Sequence, residues 1–214
     1  MELNNLVIMR DETGFFRLDK DREALEEFMK EVMERSMPFA SAEHRLRYLI
    51  DHDYYEDVYQ LYKPVEVEEV YRLAYSYRFT FASYMAASKF YKDYALKSND
   101  RSIYLEHYPD RVAITALHLA RGDVRTALRL TAAMMEQRLQ PATPTFLNAG
   151  KSRRGEMVSC FLLEMDDTLN SINYVLNTCM QLSKIGGGVA VNFSKLRGRG
   201  EPIKGVQGAA KGIV

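Results

Sequence analysis

The sequence predicts an α/β protein in which a long helical region is followed by the first part of a parallel sheet. Apolar residues recur at helical spacing through the first two thirds of the chain. From Gln140 onward, prolines and glycines interrupt this pattern, and two short apolar runs flank one further helical segment. That order is typical of a strand–helix–strand unit, which pairs its two strands in parallel.

Length and composition set the broad class. The 214 residues are enough for one sizeable domain or two small ones, and 29 basic side chains balance 29 acidic ones. No charge excess therefore indicates a nucleic acid or a membrane surface as partner. No apolar run approaches the roughly 20 residues of a spanning helix, and the stretch "MELNNLVIMRDETG" lacks the basic and then apolar order of a signal peptide. We expect a cytoplasmic protein.

The helical region divides into several predicted helices. The first covers 21–35, because Leu25, Phe28, Met29 and Val32 fall on one helical face. One or two helices are expected in "ASAEHRLRYLIDHDYYEDVYQLY", which ends before a proline. Further segments with helical spacing cover 67–77, 79–94, 110–120 and 123–139, and the last two begin with an aspartate that can cap a helix.

The remainder of the chain predicts a loop, a buried strand over 157–164, a helix and a second buried strand in "IGGGVAVNF". Asp166, Asp167 and Thr168 can cap that helix, which is expected to run to about residue 184. Its predicted apolar side consists of Leu169, Ile172, Val175, Leu176, Cys179 and Met180. The change of pattern suggests two domains, a helical one over 1–138 and an α/β one over 139–214.

The two cysteines are the first candidates for chemistry. They stand nineteen residues apart in a large chain, which is not the pattern of a disulfide framework, and no Cys/His spacing resembles a zinc site. Cys160 can be a small core residue of its strand or, at a strand end facing a cleft, a reactive thiol. Cys179 is expected to be a core residue. All four histidines lie in the helical region, so a Cys/His catalytic pair has little support.

Glycines and basic residues near the end of the chain are the second candidates. "GGGVAV" is not a dinucleotide-binding fingerprint, and "GKSRRGE" is not a phosphate-binding loop of the Walker type. Glycines 186–188 can let a ligand approach the backbone, or they can let neighbouring chain pack closely. Lys195, Arg197, Arg199 and Lys204 alternate with glycines, which suits either a phosphate site or a solvated loop.

Three motifs occur in order: "LQPATPTFLNAG", "RRGEMVSCFLLEMDDTLNSI" and "MQLSKIGGGVAVNFSKLRGRGEPIKG". Together they resemble the large (alpha, catalytic) subunit of class I ribonucleotide reductase, most closely the class Ib type, which lacks an N-terminal ATP-cone. The motifs cover about 139–214, and 1–138 is more loosely similar to the family's helical domain. The resemblance implies that 139–214 supplies the first strands and helix of a ten-stranded α/β barrel, incomplete here, and that the ATP-cone is absent.

The resemblance also implies residue roles at the substrate. Thr143 and Ser159 match residues that hold the ribonucleoside diphosphate, and Gly188 matches a glycine whose backbone lies against it. Cys160 matches one member of the cysteine pair that delivers two reducing equivalents to the ribose 2′-carbon and is left as a disulfide. Cys179 has no counterpart with a role.

A second group of roles concerns regulation. Asp167 matches an effector-binding acid at a helix start, and Arg197 with the glycine-rich stretch after it matches the first specificity loop. In the family this loop binds a dNTP at the dimer interface and biases which base is reduced. The helix over 168–184 is then expected at the interface of a homodimer.

The implied enzyme is a ribonucleoside-diphosphate reductase with a thioredoxin- or glutaredoxin-like disulfide as acceptor. Its partners would be a small (beta) subunit that generates the radical with a metal, and the rest of the large subunit; this chain itself would bind no metal. In the family, the radical cysteine, the second cysteine of the pair and the radical-relay tyrosines follow the part that 1–214 matches. We therefore expect the isolated chain to be inactive and to expose an apolar sheet edge.

Two other hypotheses remain open. The chain can be a binding module that keeps the dimer helix and the effector loop and modulates an intact reductase without catalysis. A purely helical interaction protein is the weakest alternative, because it leaves 140–214 unexplained.

Overall fold

The computed structural model describes residues 12–14 and 20–212, so most of the stretch compared with a signal peptide lies outside it. Two compact units divide after Arg154, and each is described by itself. The domain boundary after residue 138 stays a prediction. The α/β order expected from the sequence is confirmed, with a helical unit first and a strand–helix–strand unit second.

The helical unit contains seven α-helices in its described residues. Ser41, Ser83 and Asp123 cap three of them, each accepting a hydrogen bond from a backbone N–H of the first turn. A 3₁₀ turn covers Val58–Gln60 and a π-helical turn covers Phe90–Tyr94. The helices are α1 (Lys20–Glu34), α2 (Ala42–Asp51), α3 (Pro64–Ser76), α4 (Tyr84–Lys89), α5 (Tyr108–Ala120), α6 (Val124–Met135) and α7 (Thr143–Asn148).

Several details of the predictions for this unit are wrong, and the helix predicted over 123–139 ends at Met135. The helix predicted over 79–94 begins only after Ser83, because its hydroxyl caps α4. Asp110 does not precede α5 but is its third residue, and its carboxylate accepts the N–H of His107 at 2.8 Å. The expected loop after Gln140 contains α7, whose six residues are too few to show helical periodicity.

Helix α5 is the centre of the helical unit. It is apolar almost all round and supplies residues to both hydrophobic clusters of this unit. Ile114 and Leu117 belong to a cluster with α2, α3 and part of α6. Val112 and Ala116 belong to a second cluster with α1, α4, the π turn, the end of α6 and α7. The two clusters therefore share α5 and α6, and α5 supplies buried residues to both along most of its length.

Two clusters of buried polar side chains connect α5 to its neighbours. Glu106 and Arg111 are both buried, with 3.7 Å between Oε2 and Nη1, and Glu106 accepts hydrogen bonds from the Tyr55 hydroxyl and the Leu96 N–H. Arg45 and Tyr75 each approach a carboxylate oxygen of Asp110 at 2.6 Å. Burial raises the pKa of Asp110, and the Arg45 charge opposes that rise. Removing one partner would leave an uncompensated buried charge.

The second unit contains two parallel strands joined by one helix in its described residues. Strands β1 (Cys160–Glu164) and β2 (Gly188–Asn192) pair in register from Cys160 opposite Gly188 to Glu164 opposite Asn192. Helix α8 (Leu169–Lys184) connects them, and the hydroxyl of Thr168 caps it by accepting the Ser171 N–H. The predicted strand–helix–strand unit is confirmed, although the strand predicted over 157–164 begins only at Cys160.

The expectation that both strands are buried is wrong for the described residues. Exposed and half-buried positions alternate along β1 and β2, and Leu162 is 84% exposed. The predicted apolar side of α8 likewise divides into two stripes. Val175 is buried between the half-buried Ile172 and Cys179, while an exposed stripe contains Leu169, Leu176 and Met180. A single helix covers only one face of a two-stranded sheet, so the other apolar residues stay accessible.

The close packing of Gly150 against α5 predicts the effect of a substitution on stability. Its φ is +74°, and an added Cβ would lie 2.6 Å from Cγ1 of the buried Ile114. Gly150→Ala should lower the free energy of unfolding by about 2–4 kcal/mol, through backbone strain and overpacking. Urea titration measures this loss. Gly198→Ala is the matched control, since its Cβ would meet nothing within 4 Å, and it should change stability by less than about 0.5 kcal/mol. Equal effects would contradict the packing described.

The partly buried ammonium of Lys151 predicts how the stability of the protein depends on pH. Its ammonium donates to the carbonyl of Tyr94 at 3.2 Å, and burial lowers the pKa of Lys151 from 10.5 to about 8. The unfolded chain therefore binds this proton more tightly, so the stability from this group rises with pH between those two values. The unfolding free energy of the wild type minus that of Lys151→Met should increase between about pH 7 and about pH 9.5 in urea titrations. An unchanged difference would contradict the burial of the charge.

Candidate functional site

The starting ends of β1 and β2 bring three of the predicted site residues together. Cys160 pairs with Gly188, and the Gly188 N–H donates to the carbonyl of Ser159 at 2.7 Å. Parallel strands begin at the same edge of a sheet, which is why residues 28 positions apart in sequence meet here. The edge therefore combines a thiol, a half-buried hydroxyl and a strand position without a side chain.

Cys160 is exposed, so its interpretation as a small core residue is wrong. Its side chain is on the exposed set of alternating β1 positions, together with Leu162 and Glu164. Cys179 lies on α8 and is half-buried, and both cysteines are free thiols. The accessible thiol is therefore the one at the sheet edge.

The three glycines before β2 have three different environments. Gly186 has φ +87°, which suits the turn after α8. A Cβ on Gly187 would lie 2.5 Å from the Phe161 ring and 2.9 Å from the Leu182 carbonyl, so close packing requires a glycine there. A Cβ on Gly188 would meet only the Ser159 carbonyl at 3.4 Å, an ordinary contact. Packing thus explains Gly187, whereas the absent side chain of Gly188 leaves open space beside Cys160.

The finishing ends of the same strands carry a charged cluster. Asp167 and Arg197, the two predicted effector residues, form an ion pair with 2.5 Å between Oδ2 and Nε. Lys195 lies 2.8 Å from Glu164 and 3.1 Å from Asp166. The hydrogen bonds to these two carboxylates raise the pKa of Lys195. Acids that follow β1 therefore meet bases that follow β2, again because the strands are parallel.

The glycine-rich stretch after Arg197 folds back on itself. The Gly200 N–H donates to the Ala210 carbonyl at 3.0 Å, and the Ala210 N–H donates to the backbone carbonyl of Glu201 at 3.1 Å. Arg197 also donates to the Pro202 carbonyl at 3.5 Å, and Arg199 to the Lys211 carbonyl at 3.4 Å. Two of the four cations considered for a phosphate, Lys195 and Arg197, are thus already paired with carboxylates, so an anion would have to compete with these partners.

Thr143 lies in the helical unit, whereas Ser159, Cys160 and Gly188 lie in the second unit. It is the first residue of α7 and is exposed, and its Oγ1 is 2.9 Å from the hydroxyl of Tyr94. The structure therefore brings three predicted substrate residues together and leaves the fourth in a separately described unit.

Sequence reasoning did not identify Glu164 or Tyr94, and it considered Asp166 only as a possible helix cap. The two acids could have been found from parallel pairing, since acids that end one strand face the residues that follow its neighbour. Tyr94 stands 49 residues before Thr143 and shares no motif with it, so no sequence signal marks the contact. Within 12–14 and 20–212, the structure contains no cluster of three His, Cys, Asp or Glu side chains suited to a metal. In the same residues, every helix is too short or too polar to cross a membrane.

Comparison with known protein families gives three consecutive matches. Residues 1–79 match the ribonucleotide reductase N-terminal family, 80–154 match its all-alpha domain, and 158–214 match its barrel domain. The change from the all-alpha to the barrel match coincides with the division between the two compact units.

Curated relatives agree with these matches. The chain is 49% identical over its whole length to the ribonucleoside-diphosphate reductase NrdEB subunit alpha of Bacillus subtilis, and it spans 20% of that protein. It is 47% identical to the ribonucleoside-diphosphate reductase subunit alpha of the same organism, again over its whole length, and spans 31% of it. With the subunit alpha of Mycoplasma genitalium, 91% of the chain aligns at 45% identity and covers 27% of the relative.

The chain thus spans between a fifth and a third of the length of these relatives. Its helical unit matches the N-terminal and all-alpha families, and its strand–helix–strand unit matches the barrel family. The chain belongs to the ribonucleotide reductase large-subunit family.

Proposed function

We propose that this chain forms part of a ribonucleoside-diphosphate reductase that makes deoxyribonucleoside diphosphates for DNA synthesis in the cytoplasm. One observation carries the proposal: an exposed thiol, Cys160, lies beside Gly188 at a sheet edge, in a chain 47–49% identical to reductase alpha subunits. An accessible thiol next to a position without a side chain is what a reaction at a sugar carbon requires, because the reacting atoms must approach closely.

The proposed substrate roles follow from the chemistry of each group. Thr143 and Ser159 hold the diphosphate through their hydroxyls, and the backbone of Gly188 lies against the nucleoside. Cys160 is one thiol of the reducing pair. The pair supplies two electrons and two protons: one proton leaves with the 2′-hydroxyl as water, a hydrogen replaces that hydroxyl on the 2′-carbon, and the two sulfurs become a disulfide. A thioredoxin- or glutaredoxin-like protein reduces this disulfide again.

Completion of the reaction needs groups from other parts of the assembly. A metal-containing small subunit supplies the radical that starts the reaction, and the rest of the large subunit supplies the second thiol of the pair. Residues 1–214 alone would then bind parts of the substrate without reducing it.

The finishing edge of the sheet is proposed as the effector site. Asp167 and Arg197 would contact a dNTP, and the folded glycine stretch after Arg197 would be the specificity loop. The exposed stripe of Leu169, Leu176 and Met180 on α8 supports the proposal that this helix joins two large subunits, because exposed apolar stripes favour burial against a partner.

A second candidate function uses only that edge. The effector pair and the exposed stripe of α8 both lie in the second unit and need no cysteine. A non-catalytic chain that binds a dNTP and pairs with an intact reductase would therefore keep the same residues. The two candidates differ in whether Cys160 is required.

Replacement of Cys160 tests the principal proposal. In the complete reductase assembly, Cys160→Ser should reduce turnover with a dithiol reductant by at least about 10³-fold, because serine cannot form the disulfide. Cys179→Ser is the matched control and should retain turnover within about twofold. Conversion of a ribonucleoside diphosphate to its deoxy product measures both. Full turnover by Cys160→Ser would favour the non-catalytic alternative.

Replacement of Arg197 tests the effector site. Arg197→Ala removes the cation that pairs with Asp167, so the change in substrate preference caused by each dNTP should fall by about tenfold. Arg22→Ala, which removes an arginine paired with Glu26 on the surface of α1, is the control and should keep the preference. The measurement is product formation from mixed ribonucleoside diphosphates with one dNTP present at a time. A preference unchanged by Arg197→Ala would argue against the site.

A further inference from the structure

Tyr94 connects two parts of the helical unit that are distant in sequence. Its hydroxyl lies 2.9 Å from Oγ1 of Thr143, the first residue of α7. Its backbone carbonyl accepts a hydrogen bond from Nζ of Lys151 at 3.2 Å. The segment that begins at Thr143 and reaches Lys151 therefore holds Tyr94 at both its side chain and its main chain.

The backbone at Tyr94 has an uncommon conformation. Tyr94 ends the π-helical turn Phe90–Tyr94, in which the Ala95 N–H donates to the Phe90 carbonyl at 2.9 Å. Single π turns are rare and occur frequently at functional sites. The ring of Tyr94 lies beside that of Phe146 in α7, with 5.8 Å between centroids, which helps to fix the direction of the hydroxyl. The turn and the ring contact together aim the phenol at Thr143.

The chemistry of a phosphate decides which hydroxyl must donate. A threonine hydroxyl has one proton, and the oxygens of an ionised phosphate only accept hydrogen bonds. If Thr143 gives its proton to a phosphate, it cannot also donate to Tyr94. The Tyr94 hydroxyl must then donate to Thr143 Oγ1, and the two bonds in series polarise one another.

We propose that Tyr94 is a positioning residue for the ribonucleoside diphosphate: its hydroxyl donates to Thr143 and so directs the Thr143 proton to a phosphate oxygen. This inference rests on the proposed function, because it needs Thr143 to contact the substrate. Tyr94 does not touch the substrate itself. Lys151 contributes by holding the main chain of Tyr94, and the π turn places the phenol within reach of α7.

The test uses Tyr94→Phe in the complete reductase assembly, since phenylalanine keeps the ring contact with Phe146 and removes only the hydroxyl. The Kd of CDP, measured by calorimetric titration, and the KM for CDP should each rise about three- to tenfold, as expected for one lost hydrogen bond. The value of kcat should change less than KM does. Tyr77→Phe is the matched control, because it removes a hydroxyl bonded to the surface carboxylate of Glu136, and it should leave KM unchanged.

A double-mutant cycle separates positioning from a general structural effect. With Thr143→Val as background, Tyr94→Phe should add no further loss, because the residue through which it acts has no hydroxyl. With Thr143→Ser as background, the loss should return, because the hydroxyl is restored. A KM and Kd unchanged by Tyr94→Phe, or an equal loss in the valine background, would overturn the inference while leaving the proposed function intact. A wild-type assembly that binds no CDP would overturn both.

Discussion

The parallel pairing of β1 with β2 is the constraint on which both candidate sites depend. Five residue pairs fix the register from Cys160 opposite Gly188 to Glu164 opposite Asn192. Because both strands run the same way, the thiol meets its glycine at one edge and the carboxylates meet their cations at the other. A shift by one residue would turn Cys160 to the opposite face of the sheet and separate it from the open space at Gly188. The packing of Gly187 against Phe161 helps to hold this register.

The order of the elements could be predicted from sequence, and so could most of their limits. Periodicity identifies α1, since its apolar residues lie on one face, and capping side chains such as Asp123 and Thr168 identify helix starts. Periodicity fails where an element is short, as in α7, or where its geometry departs from 3.6 residues per turn, as in the π turn. It also fails at α5, where Asp110 looks like a cap but is a buried partner of Arg45. Contacts between distant segments decide these cases.

The candidate site could be predicted only in part, and for a physical reason. Motifs identify Cys160, Gly188, Asp167 and Arg197, but sequence does not say which glycine packs and which leaves space. That distinction required the position of the Phe161 ring. Burial was predicted poorly for the same region. The apolar residues of β1 and α8 show that these surfaces can pack against a partner, but they do not show whether the described chain supplies that partner. The described chain covers only one face of the sheet, so Leu162 and the outer stripe of α8 are accessible.

The shared position of α5 has a consequence for how the helical unit unfolds. Opening either hydrophobic cluster exposes one side of α5 and with it the buried groups of Glu106, Asp110 and Arg111. Opening one cluster alone would therefore leave these charged groups partly buried and without their partners. The free energy of that state is higher than the free energy of opening both clusters together. The helical unit is therefore expected to unfold as a single cooperative unit. The backbone amides of α5 would be the last to lose their protection from hydrogen exchange.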